Sequence, residues 1–197
     1  MSGEFYYPEV IGAGVALFDF NNDGKLDLLA MQGTPLLPGK STAAEPATCV
    51  AKLFRNDLVT DSAGKSLVNF TDVTQESGLC THGYGMGVSV GDIDNDGFLD
   101  VFVTNFGAPN QLFRNKGNGT FIDITKAAGV AGNGHWGSSS TIFDFDRDGL
   151  LDLFVANYVD YRLEKNFKCY ASTSARDYCA PSAYKPVPGI LYRNRGN

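Results

Sequence analysis

Apolar and polar positions fall in repeating blocks along this chain. Short runs rich in Val, Leu and Phe occupy residues 15–18 and 26–30, 88–90 and 99–103, and 141–143 and 151–156; each pair brackets a stretch rich in Asp and Gly. Runs of that length with β-branched and aromatic residues predict strands, and the polar stretch between them predicts a hairpin loop. Two further elements recur in a fixed order. One is L-F-R-N at 53–56 and 112–115, with L-Y-R-N at 191–194; the other is N-F-T-D-V-T-Q-E-S-G-L from Asn69, matched by T-F-I-D-I-T-K-A-A-G-V from Thr120. Four short strands in a unit of roughly 50–70 residues is the size of one β-propeller blade. The expected class is therefore all-β, a propeller of four-stranded blades, with units near 10–86, 87–137 and 138–197. The third unit stops where the second ran on as R-N-K-G-N-G-T-F. Propellers close with about four to eight blades, so this reading treats the chain as part of one, its remaining blades lying elsewhere. The polar stretches start at Asp19, Asp92 and Asp144, at unequal intervals, which places insertions at 33–52 and 160–188.

Composition supports strands and turns over a helical bundle. The chain has 197 residues, 43% hydrophobic and 19% charged, with 23 Gly. No apolar run is long enough for a membrane span, and the N-terminus lacks the basic-then-apolar pattern of an intact signal peptide. The formal charge of −6 is unevenly placed: 17 of the 22 acidic residues are Asp, and 11 of those fall in the three loops. The other 11 acids face 16 Lys and Arg. Acidity concentrated at fixed spacing points to a cation site, and the scattered basic residues give no footing for nucleic acid.

The loops read D-F-N-N-D-G-K-L-D, D-I-D-N-D-G-F-L-D and D-F-D-R-D-G-L-L-D. Oxygen-bearing side chains stand at positions 1, 3, 5 and 9, Gly at position 6 permits a sharp turn, and position 7 can offer its carbonyl. The candidate ligands are Asp19, Asn21, Asp23, the Lys25 carbonyl and Asp27; Asp92, Asp94, Asp96, the Phe98 carbonyl and Asp100; and Asp144, Asp146, Asp148, the Leu150 carbonyl and Asp152. A set made only of hard oxygens suits Ca²⁺, one ion per loop, better than Mg²⁺ or Zn²⁺. An EF-hand would need Glu at position 12, where this chain has Ala30, Val103 and Val155, and helices in place of the strand-like flanks. Three divalent ions would bring the formal charge to zero.

These motifs resemble the FG-GAP or VCBS repeat proteins, of which the integrin α-subunit propeller is the familiar relative. G-V-A-L-F-D-F-N-N-D-G-K-L-D-L, G-Y-G-M-G-V-S-V-G-D-I-D-N-D-G, L-F-V-A-N-Y-V-D and R-D-Y-C-A-P-S-A-Y-K-P-V-P-G-I-L-Y-R-N look like the bacterial cartilage acidic protein-like, ASPIC/UnbV-type group. The resemblance implies a secreted or periplasmic calcium-binding propeller, usually seven-bladed, followed by an ASPIC/UnbV segment that this sequence does not contain. Asn21 departs from the Asp of the other loops and is expected to weaken the first one modestly.

Four Cys without C-x-x-C spacing favour disulfides over zinc, with Cys169 to Cys179 as the local pair and Cys49 to Cys80 as the remainder. Such bonds place the chain in an extracytoplasmic compartment. His82 and His135 lie in Gly-rich connections, Trp136 reads as a packing anchor, and the recurrence of Arg55, Arg114 and Arg193 argues for an architectural role. No catalytic constellation stands out, so the expected function is an adhesion or recognition module for an extracellular protein or glycan, with structural Ca²⁺. The alternatives are a propeller-type lyase or hydrolase and a purely structural surface segment.

Overall fold

The computed structural model describes residues 2–36 and 49–196, so residues 37–48 of the insertion expected at 33–52 lie outside the described residues. Three antiparallel sheets follow one another along the chain. The first joins β1 (Val15–Phe18), β2 (Asp27–Ala30), β3 (Lys52–Asn56) and, beyond a small hairpin of β4 (Val59–Thr60) and β5 (Ser66–Leu67), β6 (Phe70–Asp72). The second joins β7 (Tyr84–Gly91), β8 (Asp100–Phe106), β9 (Gln111–Asn115) and β10 (Phe121–Asp123). The third joins β11 (Gly137–Phe143), β12 (Asp152–Asn157) and β15 (Ile190–Tyr192), with the hairpin of β13 (Cys169–Tyr170) and β14 (Arg176–Asp177) inserted before its last strand. Each sheet is a meander. The protein is all-β, as its periodicity predicts, and the described residues do not close a ring.

One register runs through all three leading hairpins. Phe18 pairs with Asp27, Gly91 with Asp100 and Phe143 with Asp152, so each polar loop hangs from the same rung of its ladder. β8 is buried along its whole length because it is covered on both faces. Phe18, Phe20, Leu29 and Leu53 of the first sheet pack against Val101, Val103, Phe113 and Phe121 of the second, and Phe102 and Leu112 of the second meet Leu153 and Val155 of the third. Each such side chain contributes about 1.5–3 kcal/mol on leaving water. The leading strands approach closely through glycine: a Cβ on Gly87 would stand 3.0 Å from the Ser138 carbonyl and the Ser139 Cα.

Strand periodicity did not anticipate the single helical turns α1 (Thr74–Ser77) and α2 (Thr125–Ala128), which follow the fourth strands and end at Gly78 and Gly129 in left-handed conformation. At the ends of the sheets away from the polar loops, Tyr6 and Tyr7 join Phe106, Trp136, Tyr161 and Tyr184 in an aromatic cluster that ties the N-terminal segment to the 160–188 insertion. Trp136 is its anchor, with ring centroids 4.9 Å from Phe106 and 5.6 Å from Tyr7. Disulfides join Cys49 to Cys80 and Cys169 to Cys179, the pairing expected from their spacing. No helix among the described residues is long and apolar enough to cross a membrane.

Candidate metal centre

The first-position Asp of each loop organises the turn before any ion is considered. Asp19 Oδ1 accepts the Asp23 N–H and its Oδ2 the Gly24 N–H, at 3.0 and 2.7 Å; Asp92 does the same for Asp96 and Gly97, and Asp144 for Asp148 and Gly149. The turn requires left-handed backbone at two positions. Gly24, Gly97 and Gly149 supply one, with φ of 81–88°, while Asn22, Asn95 and Arg147 adopt φ near 60° at the other.

The ninth-position Asp is a latch. Asp27 Oδ2 accepts the Phe20 N–H and Oδ1 the Asn56 N–H; Asp100 holds Ile93 and Asn115 in the same way, and Asp152 holds Phe145 and Asn194. The loop is thereby fixed to the Asn that ends L-[FY]-R-N, which explains why the two motifs recur together. All three latches are buried. Burial pushes the Asp100 carboxyl up to about 6, against the lowering effect of its two N–H donors, and raises Asp27 for the same reason.

Positions 1, 3 and 9 converge. One carboxylate oxygen each from Asp92, Asp94 and Asp100 lies within 4.8 Å of the others, and Asp144, Asp146 and Asp152 form a matching group. In the first loop Asn21 takes the third position, leaving Asp19 and Asp27 as its carboxylates. In each loop the fifth-position side chain, Asp23, Asp96 or Asp148, accepts the N–H of residue 7 on Oδ1 at 2.9 Å, closing a small turn. That bond engages the N–H of Lys25, Phe98 and Leu150, whose carbonyls are the remaining predicted donors.

Local cations sit against this acidity. Arg193 lies 2.7 Å from Asp146 and 3.2 Å from Asp148, Arg114 lies 3.8 Å from Asp94, and Arg55 turns away to Asp57 at 2.7 Å. Burial, with Asp96 as a like charge, raises the Asp94 carboxyl, and Arg114 opposes the shift. Three clustered carboxylates with no nitrogen or sulfur donor among them form a set that fits a hard divalent cation such as Ca²⁺.

The stretch from Asp92 to Val155, covering the second and third loops and the strands around them, matches the FG-GAP-like repeat family over residues 92–155. The chain carries an FG-GAP-like repeat. The chain is also similar to cartilage acidic protein 1, with 33% identity to the mouse protein, 32% to the human and 35% to that of Xenopus tropicalis, each over 137 residues. Those alignments cover 69% of this chain and 21% of each relative, so the chain spans about a fifth of the length of the curated relatives it matches.

Proposed function

We propose that this chain is a calcium-stabilised recognition module, part of a β-propeller, whose ions hold the loop-bearing end of the sheets while other surfaces meet an extracellular protein or glycan. The convergence of Asp92, Asp94 and Asp100, repeated in Asp144, Asp146 and Asp152, carries this reading. At an effective dielectric near 20, two carboxylates about 4 Å apart repel by about 4 kcal/mol, and a bound divalent ion reverses that term. With free Ca²⁺ at about 100 times its dissociation constant, each ion adds about 2.7 kcal/mol to stability. Two disulfides support an oxidising, extracytoplasmic setting. The FG-GAP-like repeat and the similarity to cartilage acidic protein 1 favour recognition over chemistry, and the acidic side chains at the loops serve as ligands or latches in place of an acid and base pair.

Calorimetric titration of Ca²⁺ into chelator-stripped protein, with a thermal melt at each end, tests the reading. The expected result is one ion per loop and a raised melting temperature. Asp94→Ala, which removes a converging carboxylate without touching the turn bonds of Asp92 or the latch of Asp100, lowers the stoichiometry by one. Absence of binding by folded protein would reduce the loops to hydrogen-bonded turns.

A further inference from the structure

The three polar loops are joined to one another by bonds that no ion supplies. Phe20, at the second position of the first loop, donates its N–H to Asp27 Oδ2 and accepts at its carbonyl from Asn115 Nδ2 at 2.8 Å. The backbone N–H of that same Asn115 goes to Asp100 Oδ1, and Asp100 Oδ2 accepts the N–H of Ile93, the second-position residue of the next loop. The Ile93 carbonyl accepts from Asn194 Nδ2 at 2.8 Å, the Asn194 N–H goes to Asp152 Oδ1, and Asp152 Oδ2 holds Phe145. One unbroken run of hydrogen bonds thus passes through all three ninth-position carboxylates.

A second set of ties runs the other way, at the loop tips. Asn22 and Asn95, in the fourth positions, donate from Nδ2 to the Gly97 and Gly149 carbonyls, the sixth positions of the loops that follow, at 3.4 and 3.1 Å. Both Asn residues are exposed and stand at φ of 57°. Each pair of consecutive loops is therefore tied at two points, and the second loop has a tied neighbour on either side. None of Asn22, Asn95, Asn115 and Asn194 is a candidate ligand, so the ties can be cut without removing a donor from any loop.

We propose that these four Asn residues couple the loops, so that an ion entering one raises the affinity of the next. Repulsion among clustered carboxylates works against the closed loop until a cation enters. A closed neighbour holds the tying carbonyl and amide in place, so the adjoining loop loses less conformational freedom when its own ion binds. The coupling is reciprocal between neighbours. The first loop, where Asn21 stands in place of a carboxylate, gains most from the second. The inference rests on the calcium reading above and makes the four Asn positioning residues for it.

Calcium titration of the intact chain, followed by NMR at the amide groups of Gly24, Gly97 and Gly149, reads each loop separately. Asp94→Ala, which removes a converging carboxylate of the second loop, is expected to weaken ion uptake at the third loop by about fivefold or more. Repulsion between neighbouring ions acts in the opposite sense, since losing an ion from the second loop would then tighten the third. Adding Asn95→Gly and Asn194→Ala, which cut both ties between these two loops, should abolish the effect of Asp94→Ala at the third loop. Asn95→Gly alone, at a left-handed position that glycine adopts without strain, should reduce that effect and keeps the test decisive if the combined variant folds poorly. Unchanged or tighter binding at the third loop in Asp94→Ala, or the same loss with the ties cut, would overturn the coupling and leave ion binding standing. No ion uptake at any loop of the folded chain would overturn the calcium reading, and the coupling with it.

Discussion

Asp27, Asp100 and Asp152 each do two things at one position. Their oxygens latch the loop to the Asn of L-[FY]-R-N by accepting one N–H from each, and in the second and third loops they also complete a cluster of carboxylates. Replacing Asp100 by Ala therefore removes a latch as well as a candidate ligand, which makes Asp94 the cleaner probe of ion binding. Arg193 acts in the opposite sense: its guanidinium already neutralises Asp146 and Asp148, so an entering cation must displace or oppose it. Arg193→Gln is expected to tighten Ca²⁺ binding at the third loop by roughly two- to fivefold, the modest size reflecting an exposed, screened pair. Site-resolved titration in the variant checks this, and unchanged affinity would remove Arg193 from the balance. Asn115 ties the second sheet to the first, donating from Nδ2 to the Phe20 carbonyl at 2.8 Å, and also donates to the Leu99 carbonyl of its own unit at 3.3 Å while itself buried. Asn115→Leu should cost about 1–3 kcal/mol by leaving buried carbonyls unpaired, as read from denaturant midpoints.

At the scale of elements, F-x-D-[VI]-T supplies a Thr hydroxyl that ties it to the neighbouring L-[FY]-R-N strand as well as a strand of its own. Thr74 Oγ1 accepts the Leu53 N–H at 3.0 Å and donates to Asp72 at 2.6 Å, and Thr125 accepts the Leu112 N–H at 2.8 Å in the second sheet. Thr74→Val should lower stability by about 1–3 kcal/mol, since it leaves the buried Leu53 N–H without an acceptor, and the loss should appear in thermal melts. Asp72 is held below its ordinary value of 3.8, chiefly by the Thr74 hydroxyl and then by the Thr74 N–H, with Lys52 adding to the effect. A carboxyl whose folded value is depressed binds fewer protons when native. Its contribution is present above pH ~4, where the unfolded group has ionised, and is lost as pH falls through the lower folded value. Asp72→Asn should accordingly flatten that part of the acid-unfolding curve, and a curve of unchanged shape would count against the assignment.

Across the whole molecule, the same tie repeats from sheet to sheet. Asn194 reaches back to the Ile93 carbonyl as Asn115 does to Phe20, while Asn22 and Asn95 reach forward from the loops to the Gly97 and Gly149 carbonyls. The third sheet presents Phe143, Phe145, Phe154 and Leu191, 36–45% exposed, at the repeat positions where Phe18, Phe20, Leu29 and Leu53 are buried against a neighbour. That apolar face predicts concentration-dependent self-association of the chain in solution. Sedimentation should show it, and Phe154→Ser should raise the monomer fraction; a strictly monomeric chain would contradict the prediction. The Cys49–Cys80 bond closes a loop with a sequence separation of 31 in the first sheet. Its removal by paired Ala substitutions should cost about 2–4 kcal/mol, seen as a lower melting temperature under oxidising conditions.

Hairpins, loop positions, strand order and both disulfide pairs were legible in the sequence because each depends on local rules: two-residue alternation, glycine at a left-handed position, and the spacing of repeated motifs. The elements around Asp19, Asp92 and Asp144 fall where those rules put them. Local rules do not determine which partner a polar atom finds across sheets. The sequence marks four oxygen-bearing side chains per loop; only folding gives the ninth-position carboxylate the N–H of an Asn from a distant strand and the fifth-position carboxylate a neighbouring N–H. It also leaves open whether an arginine in a repeated motif meets its own loop, as Arg193 does, or turns away, as Arg55 does. Repetition along the chain sets the kind of unit that forms; the apposition of consecutive units decides which oxygens converge and which apolar surface is left for a partner.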